Sequence, residues 1–368
     1  MNTQIVVAGL RARPVRTAVG VLAVTLEVVL ILLLVGVTNG AVEETGGRVK
    51  GVGAEIIFMD KTSSYILAMN KAILPIKELG GAIAAVPGVK AVAPVVTDTD
   101  SGGFTVVYGI DPATFDVASG KFTFLNGKMF SAPHEAIIDD WQASKDHLKV
   151  NDIKDVLGQK FTITGIVKNG KGARIFVPIT TLQDNQKRPD LATMFYVKLS
   201  DKSDTKAAIT RIEKALEPEE YKIVDVDEFV SLMFEANASL INGVFNVVVF
   251  LGVSIGVLVI FLSMYTSVTE RTREIGILRS MGASKGFIVA LVLQESLVLC
   301  VIGAVVGVGA SFTLAVVLKM FMPTLVILIS QQWVLQATAF ALLSGIIGSL
   351  YPAYKAASQD PIEALAYE

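Results

Sequence analysis

Few residues in this chain have the types and spacing that reactive chemistry needs. The two histidines, His134 and His147, lack the i, i+4 spacing of a helical metal pair and have no cysteine nearby. They read as surface residues, and no metal site is expected. The acidic pairs Asp139-Asp140 and Glu219-Glu220 read as solvated turns, and no serine stands in a G-x-S-x-G context. Two Gly-Lys pairs fail as phosphate loops, because Lys121 is followed by Phe122 and Lys128 by Met129, where a P-loop needs Ser or Thr. Two acids in apolar surroundings remain, Glu27 and Glu295. So does one dense cluster of both signs, Glu270, Arg271, Arg273, Glu274 and Arg279, within "TERTREIGILRSMGASK" (269–285). Residues 41–238, where the histidines, acidic pairs and Gly-Lys pairs lie, are therefore expected to form a binding or docking domain and not a catalytic one.

The surrounding elements explain why those charges stand out. Residues 236–269 and 320–354 carry no charge, 286–318 carry only Glu295, and 17–42 carry only Glu27. About 20 apolar residues at 1.5 Å each cross a hydrocarbon core of roughly 30 Å. Soluble core helices rarely run this long without charge, and the mean hydropathy of +0.58 fits an integral membrane protein. Four spanning helices are expected, over 17–38, 240–266, 287–320 and 334–354. A cleaved signal peptide fits residues 1–40 poorly, because the apolar run is too long and no small-residue cleavage pattern closes it. Basic residues flank the spans: Arg11, Arg13 and Arg16 before the first, Arg271, Arg273, Arg279 and Lys285 between the second and third, and Lys355 after the fourth. An even number of crossings puts these on one side, the cytoplasm by the positive-inside rule, with Lys319 the exception. Both termini are then cytoplasmic.

The expected fold is therefore a membrane α-helical protein with a large extracytoplasmic domain inserted between helices 1 and 2. Residues 1–40 form an N-terminal cytoplasmic segment and the first helix, and 41–238 form the outer domain. Residues 239–368 form three further helices with a cytoplasmic tail. The outer domain reads as mixed α/β, with strands at 54–60, 89–96, 104–111, 134–140, 160–168, 173–179 and 192–200. Helices are read at 75–86 and at 204–218, the second stopped by Pro218. Acids outnumber bases in this domain, and nothing suggests nucleic acid. The single cysteine, Cys300, lies in the third span, so the outer domain must fold without a disulfide.

Residues 270–281 read as a short amphipathic helix on the cytoplasmic face. Glu270 with Arg273, and Arg271 with Glu274, have spacings that pair opposite charges. Ile275, Leu278 and Met281 form an apolar stripe, with Gly276 between them and Arg279 pointing elsewhere. Gly282 is the expected stop and Ser284 the expected N-cap of the third span. Gly252 with Gly256, and Gly303 with Gly307, have the small-xxx-small spacing that lets helices approach, within one chain or between two. The uncharged run before residue 270 corresponds to about 51 Å of helix, long enough to project beyond the bilayer as a stalk. Residues 5–14 could lie on the inner surface. Glu27 and Glu295 are expected at similar depth, either as a proton-sharing pair or as separate protonated acids bonded to backbone, Thr25 or Gln294.

The order of elements, with the link "TERTREIGILRSMGAS", resembles the MacB/FtsX-like permease family of ABC transporters. The likeness extends over essentially the whole chain, through "GLRARPVRTAVGVLAV", "VPGVKAVAPV", "VVYGIDPATF" and "GSLYPAYKAASQDPIEALAYE". It implies a permease subunit of the bacterial inner membrane, in which 41–238 is a MacB-like periplasmic core domain and 270–281 a coupling helix. That helix would seat in a separate ABC ATPase subunit, through Glu270, Arg271, Arg273, Glu274, Ile275, Gly276, Leu278 and Met281. ATP and magnesium would be held on that partner, and this chain would need no cofactor. The resemblance further implies a second permease chain, in a homodimer or related heterodimer, and allows a periplasmic adaptor. ATP hydrolysis would move the outer domain mechanically, for efflux or export. Its alternatives are lipoprotein or lipid release, and regulation of an extracytoplasmic cell-wall hydrolase. Glu27 departs from the family pattern, which is small or apolar there. A self-contained channel or secondary transporter is disfavoured by the lack of discontinuous helices.

Overall fold

The computed structural model describes residues 14–65, 70–100, 105–216, 220–322 and 325–360, with side chains except at 237–242 and 244. Among the described residues the helices are α1 (Pro14–Gly51), α2 (Ile76–Ala84), α3 (Pro112–Ser119), α4 (Asp140–Asp146), α5 (Ile179–Gln186), α6 (Thr205–Ala215), α7 (Val226–Glu270), α8 (Thr272–Ser280), α9 (Lys285–Phe321) and α10 (Gln331–Ser358). The chain divides into two compact units. One takes residues up to Gly40, then Ile241–Phe321 and the chain from Leu325, and the other takes Ala41–Leu240. Arg11, Arg13, the proposed surface segment 5–14 up to residue 13, Pro218 and Glu219 lie outside the described residues.

Helices α1, α7, α9 and α10 are long and apolar enough to cross a membrane, in α7 over Phe245–Glu270. The first outruns its expected end at residue 38 by more than three turns. Glu43, Glu44, Arg48 and Lys50 mark the end of the apolar run but are good helix formers, so charge there does not end the helix. It ends where Gly51 and then Gly53, at φ +86°, release the chain. Helix α7 has 45 residues, about 68 Å of helix. It starts after Asp225, whose Oδ1 accepts from the Asp227 N–H at 2.7 Å. Both α1 and α7 are single helices whose residues fall in both units.

The helical unit packs Val24, Val28, Ile31 and Leu32 of α1 against Ile260 and Met264 of α7, Ile288 and Leu299 of α9, and Ala337 and Ala341 of α10. The residues expected to let helices approach lie at these contacts. A Cβ on Gly303 would meet Val24 Cβ at 2.6 Å, and one on Gly307 would meet Val28 Cβ at 2.8 Å. A Cβ on Gly256 would collide with the Glu27 carboxylate, while one on Gly252 would lie 3.9 Å from Glu27 Cγ. Both glycine pairs therefore receive α1 of the same chain.

The other unit is built on a mixed sheet in the order β12-β1-β11-β3-β4-β9-β6-β8-β5, with β7 added along β8. Its strands are β1 (Ile56–Asp60), β3 (Val89–Thr99), β4 (Val106–Ile110), β5 (Phe124–Gly127), β6 (Glu135–Asp139), β7 (Ile153–Val156), β8 (Gln159–Val167), β9 (Ile175–Pro178), β11 (Met194–Leu199) and β12 (Tyr221–Asp225). A separate two-stranded ribbon pairs β2 (Leu74–Pro75) with β10 (Leu191–Ala192). Pairings β4–β9 and β6–β8 are parallel and the rest antiparallel. The central strands are buried on both faces, which is why they read as continuous apolar runs. In β1, Ile57 and Met59 join one core, while Ile56 and Phe58 join another with Leu79 and Ile83 of α2 and Ala208 and Ile212 of α6. The sequence reading missed the β2–β10 ribbon, β5, β7, β12 and helices α3 to α5.

Asp139-Asp140 is not a solvated turn. Asp139 ends β6, is fully buried, and N-caps α4 by accepting from the Gln142 N–H at 2.6 Å. Asp140 Oδ1 accepts from the Asn169 N–H at 2.9 Å.

Candidate functional site

Residues 270–281 do not form one uninterrupted helix. Helix α7 closes at Glu270, Arg271 sits outside helical geometry at φ −108°, ψ 18°, and α8 begins at Thr272. At the far end the Gly282 N–H donates to Arg279 O and the Ala283 N–H to Leu278 O, both at 3.0 Å. With Gly282 at φ +96° this is a Schellman stop, which favours glycine. Ser284 Oγ then accepts from the Phe287 N–H at 3.2 Å and caps α9.

The charges at the break pair with other helices. Glu270 meets Arg16 of α1 at 3.2 Å, and Arg271 meets Glu295 of α9 at 3.2 Å. Arg16 also faces Glu295, at 3.7 Å. The partner expected for Arg271, Glu274, is exposed instead. Arg279 donates to the carbonyls of Ala357 at 2.6 Å and Gln359 at 3.2 Å, so it satisfies the C-terminal end of α10.

The apolar stripe also differs from the sequence reading. Ile275 is 7 % exposed and packs in the helical core together with Leu278, and Gly276 is buried. Met281, by contrast, is 72 % exposed, and so is Ile277 at 44 %. Each three-residue step turns 300°, so two steps leave Met281 about 120° away from Ile275. The free row is Arg273, Ile277 and Met281 at four-residue spacing, with Glu274 beside it. Spacing alone could have identified this row, and Ile277 was the residue missed.

Glu27 and Glu295 do not share a site. Glu27 is buried on α1 and bonds through Oε2 to Ser344 Oγ of α10 at 3.1 Å. Ser344 Oγ also donates to Ala341 O at 2.9 Å. A hydroxyl has one proton, so this geometry is satisfied when the Glu27 carboxyl supplies the other. Thr25 is not its partner, because Thr25 Oγ1 donates to Gly303 O at 3.2 Å. Gln294 is exposed.

In the α/β unit a second charged cluster is buried. Glu44 pairs with Arg48 at 2.9 Å and Arg174 at 3.1 Å, while Arg174 reaches Asp139 at 3.9 Å and stacks 5.0 Å over Trp141. Burial pushes the Asp139 carboxyl up to about 6, outweighing its N-cap bond and the two arginines. Among the described residues no three His, Cys, Asp or Glu side chains gather where they could hold a metal ion. His134 and His147 are exposed, the latter closing α4 in the left-handed region.

Comparison with known proteins places these units. Residues 17–215 match the MacB-like periplasmic core domain, and residues 246–361 match the FtsX-like permease C-terminal domain. An uncharacterized ABC transporter permease, YknZ of Bacillus subtilis, is 27 % identical over 400 residues, covering 100 % of this chain and 99 % of that one. The macrolide export ATP-binding/permease protein MacB of Neisseria meningitidis is 24 % identical over 384 residues, covering 97 % of this chain. This chain spans only 59 % of that MacB. Among solved structures, the periplasmic region of MacB from Actinobacillus actinomycetemcomitans aligns with 49 % of this chain and 92 % of that one, at 14 % identity and a TM-score of 0.37. The extracellular domain of YknZ covers 46 % of this chain and 98 % of that one, at 18 % identity and a TM-score of 0.35. With the core-domain match spanning more than half of the chain and the permease match following it, the chain belongs to the MacB-like periplasmic core domain family and is an ABC transporter permease of the MacB/FtsX type.

Proposed function

We propose that this chain is the transmembrane subunit through which an ABC ATPase drives displacement of the α/β domain, in the service of export. The observation that carries this reading is α8. It is a separate helix whose inner face, Ile275 and Leu278, is packed against the chain's own helices, while Arg273, Ile277 and Met281 stand exposed on the other. An apolar pair between exposed charges on a docked helix suits seating in a protein cleft. The continuity of α1 and α7 from one unit into the other supports mechanical transmission. The ATPase, with its ATP and magnesium, is a partner subunit, and a second permease chain completes the membrane part. Export agrees with the macrolide export for which the MacB relatives are named.

The basic residues of the α7–α9 link and Lys355 support a cytoplasmic position for that side, in a bacterial inner membrane. In a Cys300→Ser background, cysteines at Lys61, Lys121 and Lys202 should react with an impermeant thiol reagent in intact cells, and one at Arg273 should not. Labelling at 273 from outside would invert the topology. Coupling is tested by Ile277→Asp/Met281→Asp. That variant should insert and fold but lose the co-purifying ATPase, and wild-type association would reduce α8 to a connector.

A further inference from the structure

Among the described residues, Arg16 and Arg271 at the start of α8 both face one buried acid, Glu295. Glu295 has a side chain only 7 % exposed, yet it sits on an apolar helix with no other charge between 286 and 318. Its Oε2 accepts from Arg271 Nη1 at 3.2 Å, and its Oε1 faces Arg16 Nη2 at 3.7 Å. Arg16 in turn holds Glu270 at 3.2 Å. Arg271 is the single residue at which helical geometry is interrupted between α7 and α8. Three helices, α1, α7 and α9, are thus tied by charge at the point where α8 departs. An acid placed here only for packing would be expensive. A buried carboxylate is costly unless paired, and breaking the pair leaves that charge uncompensated.

We infer that Glu295 is a positioning residue that anchors the α7–α8 break to α9 through Arg271 and to α1 through Arg16. A displacement of α8 is thereby delivered to three helices together rather than absorbed at the break. Without a carboxylate at 295, Arg271 would lose this partner on α9, and the break would be held by the Arg16–Glu270 pair, α8's inner face and Arg279. The inference rests on the coupling reading for its purpose, though not for its geometry.

The two can be separated. Nitroxides at Met281→Cys and Val305→Cys, both exposed positions, report the α8–α9 distance in the full-length Cys300→Ser chain in lipid nanodiscs. The parent should give one narrow distribution. Glu295→Gln should broaden it, and Glu295→Asp, which keeps the charge, should restore it. With the co-purifying ATPase bound, Glu295→Gln should leave association unchanged but lower ATP turnover at least about fivefold, the scale of a modest coupling free energy. In the Glu295→Gln background, Arg271→Gln should add nothing, because its partner is already gone. If Glu295→Gln does not fold, Arg271→Gln alone carries the same distance measurement. An unbroadened distribution in the folded variant overturns the anchor. A broadened one with unchanged turnover upholds the anchor and counts against the coupling reading.

Discussion

Ile275 and Ile277 stand two residues apart on α8 and face opposite ways, the first 7 % exposed in the helical core and the second 44 % exposed. The same substitution should therefore report two different properties. Ile275→Asp buries an unpaired charge and should cost several kcal/mol, seen as loss of the monodisperse chain in detergent. Ile277→Asp should change stability by no more than about 0.5 kcal/mol, as surface substitutions do. Equal loss of fold in both variants would mean that α8 does not present the face described.

The glycines of α9 offer a contrast within one helix. A Cβ at Gly303 would lie 2.6 Å from Val24 Cβ, whereas a Cβ at Gly309 meets nothing within 4 Å. Gly303→Ala should destabilise the helical unit by about 1–3 kcal/mol, because α1 must shift to admit it. Gly309→Ala should be neutral or stabilising by up to about 1 kcal/mol through helix propensity. Unfolding in mixed micelles, followed by helical circular dichroism, separates them, and equal effects would place α1 elsewhere.

What could be read from sequence follows from how local each signal is. The four apolar helices were legible because crossing a hydrocarbon core demands an uninterrupted run, which is a local property. The end of α1 was not, since Glu43 to Lys50 change the solvent but not the helical backbone. Strands β1 and β3 were legible because burial on both faces leaves apolar runs. Strand β5, exposed at the sheet edge over 125–127, carries no such pattern. The Arg273–Ile277–Met281 row was present in the spacing but hidden by a three-residue count. The Glu27–Ser344 bond joins residues 317 positions apart, and no local pattern announces it.

That bond leads to a prediction about Glu27. A glutamine there can donate its amide N–H to Ser344 Oγ while Ser344 keeps its bond to Ala341 O. Glu27→Gln should therefore retain fold and much of the activity. Ser344→Ala should cost about 1 kcal/mol or somewhat more, because it strands a buried carboxyl. Glu27→Lys should impair insertion, since translocon scales place a central lysine near about +2.5 to +3.5 kcal/mol. Normal folding but abolished ATP turnover in Glu27→Gln would assign the carboxyl an ionised role instead.

Asp139 should make the α/β unit's stability depend on pH in an unusual direction. Its folded carboxyl is raised from 3.8 to about 6 by burial, so between these values the folded state holds a proton that the unfolded chain has released. The group's contribution is therefore greatest below about pH 4 and is lost as pH rises toward 6, the reverse of a salt-bridged acid with a lowered value. Asp139→Asn keeps the N-cap of α4, because asparagine caps about as well as aspartate, but it cannot ionise. The variant should gain on wild type as pH rises from 4 to 6.5, by up to about 3 kcal/mol, since each tenfold change in proton affinity corresponds to about 1.4 kcal/mol. Trp141 lies two residues from Asp139 beneath Arg174, so its fluorescence in a Trp333→Phe chain reports this unit's thermal unfolding. Other titrating groups cancel in the difference between the two proteins. A difference that stays flat, or turns in favour of wild type as pH rises, would mean that Arg174 and Arg48 hold Asp139 ionised and that burial does not dominate.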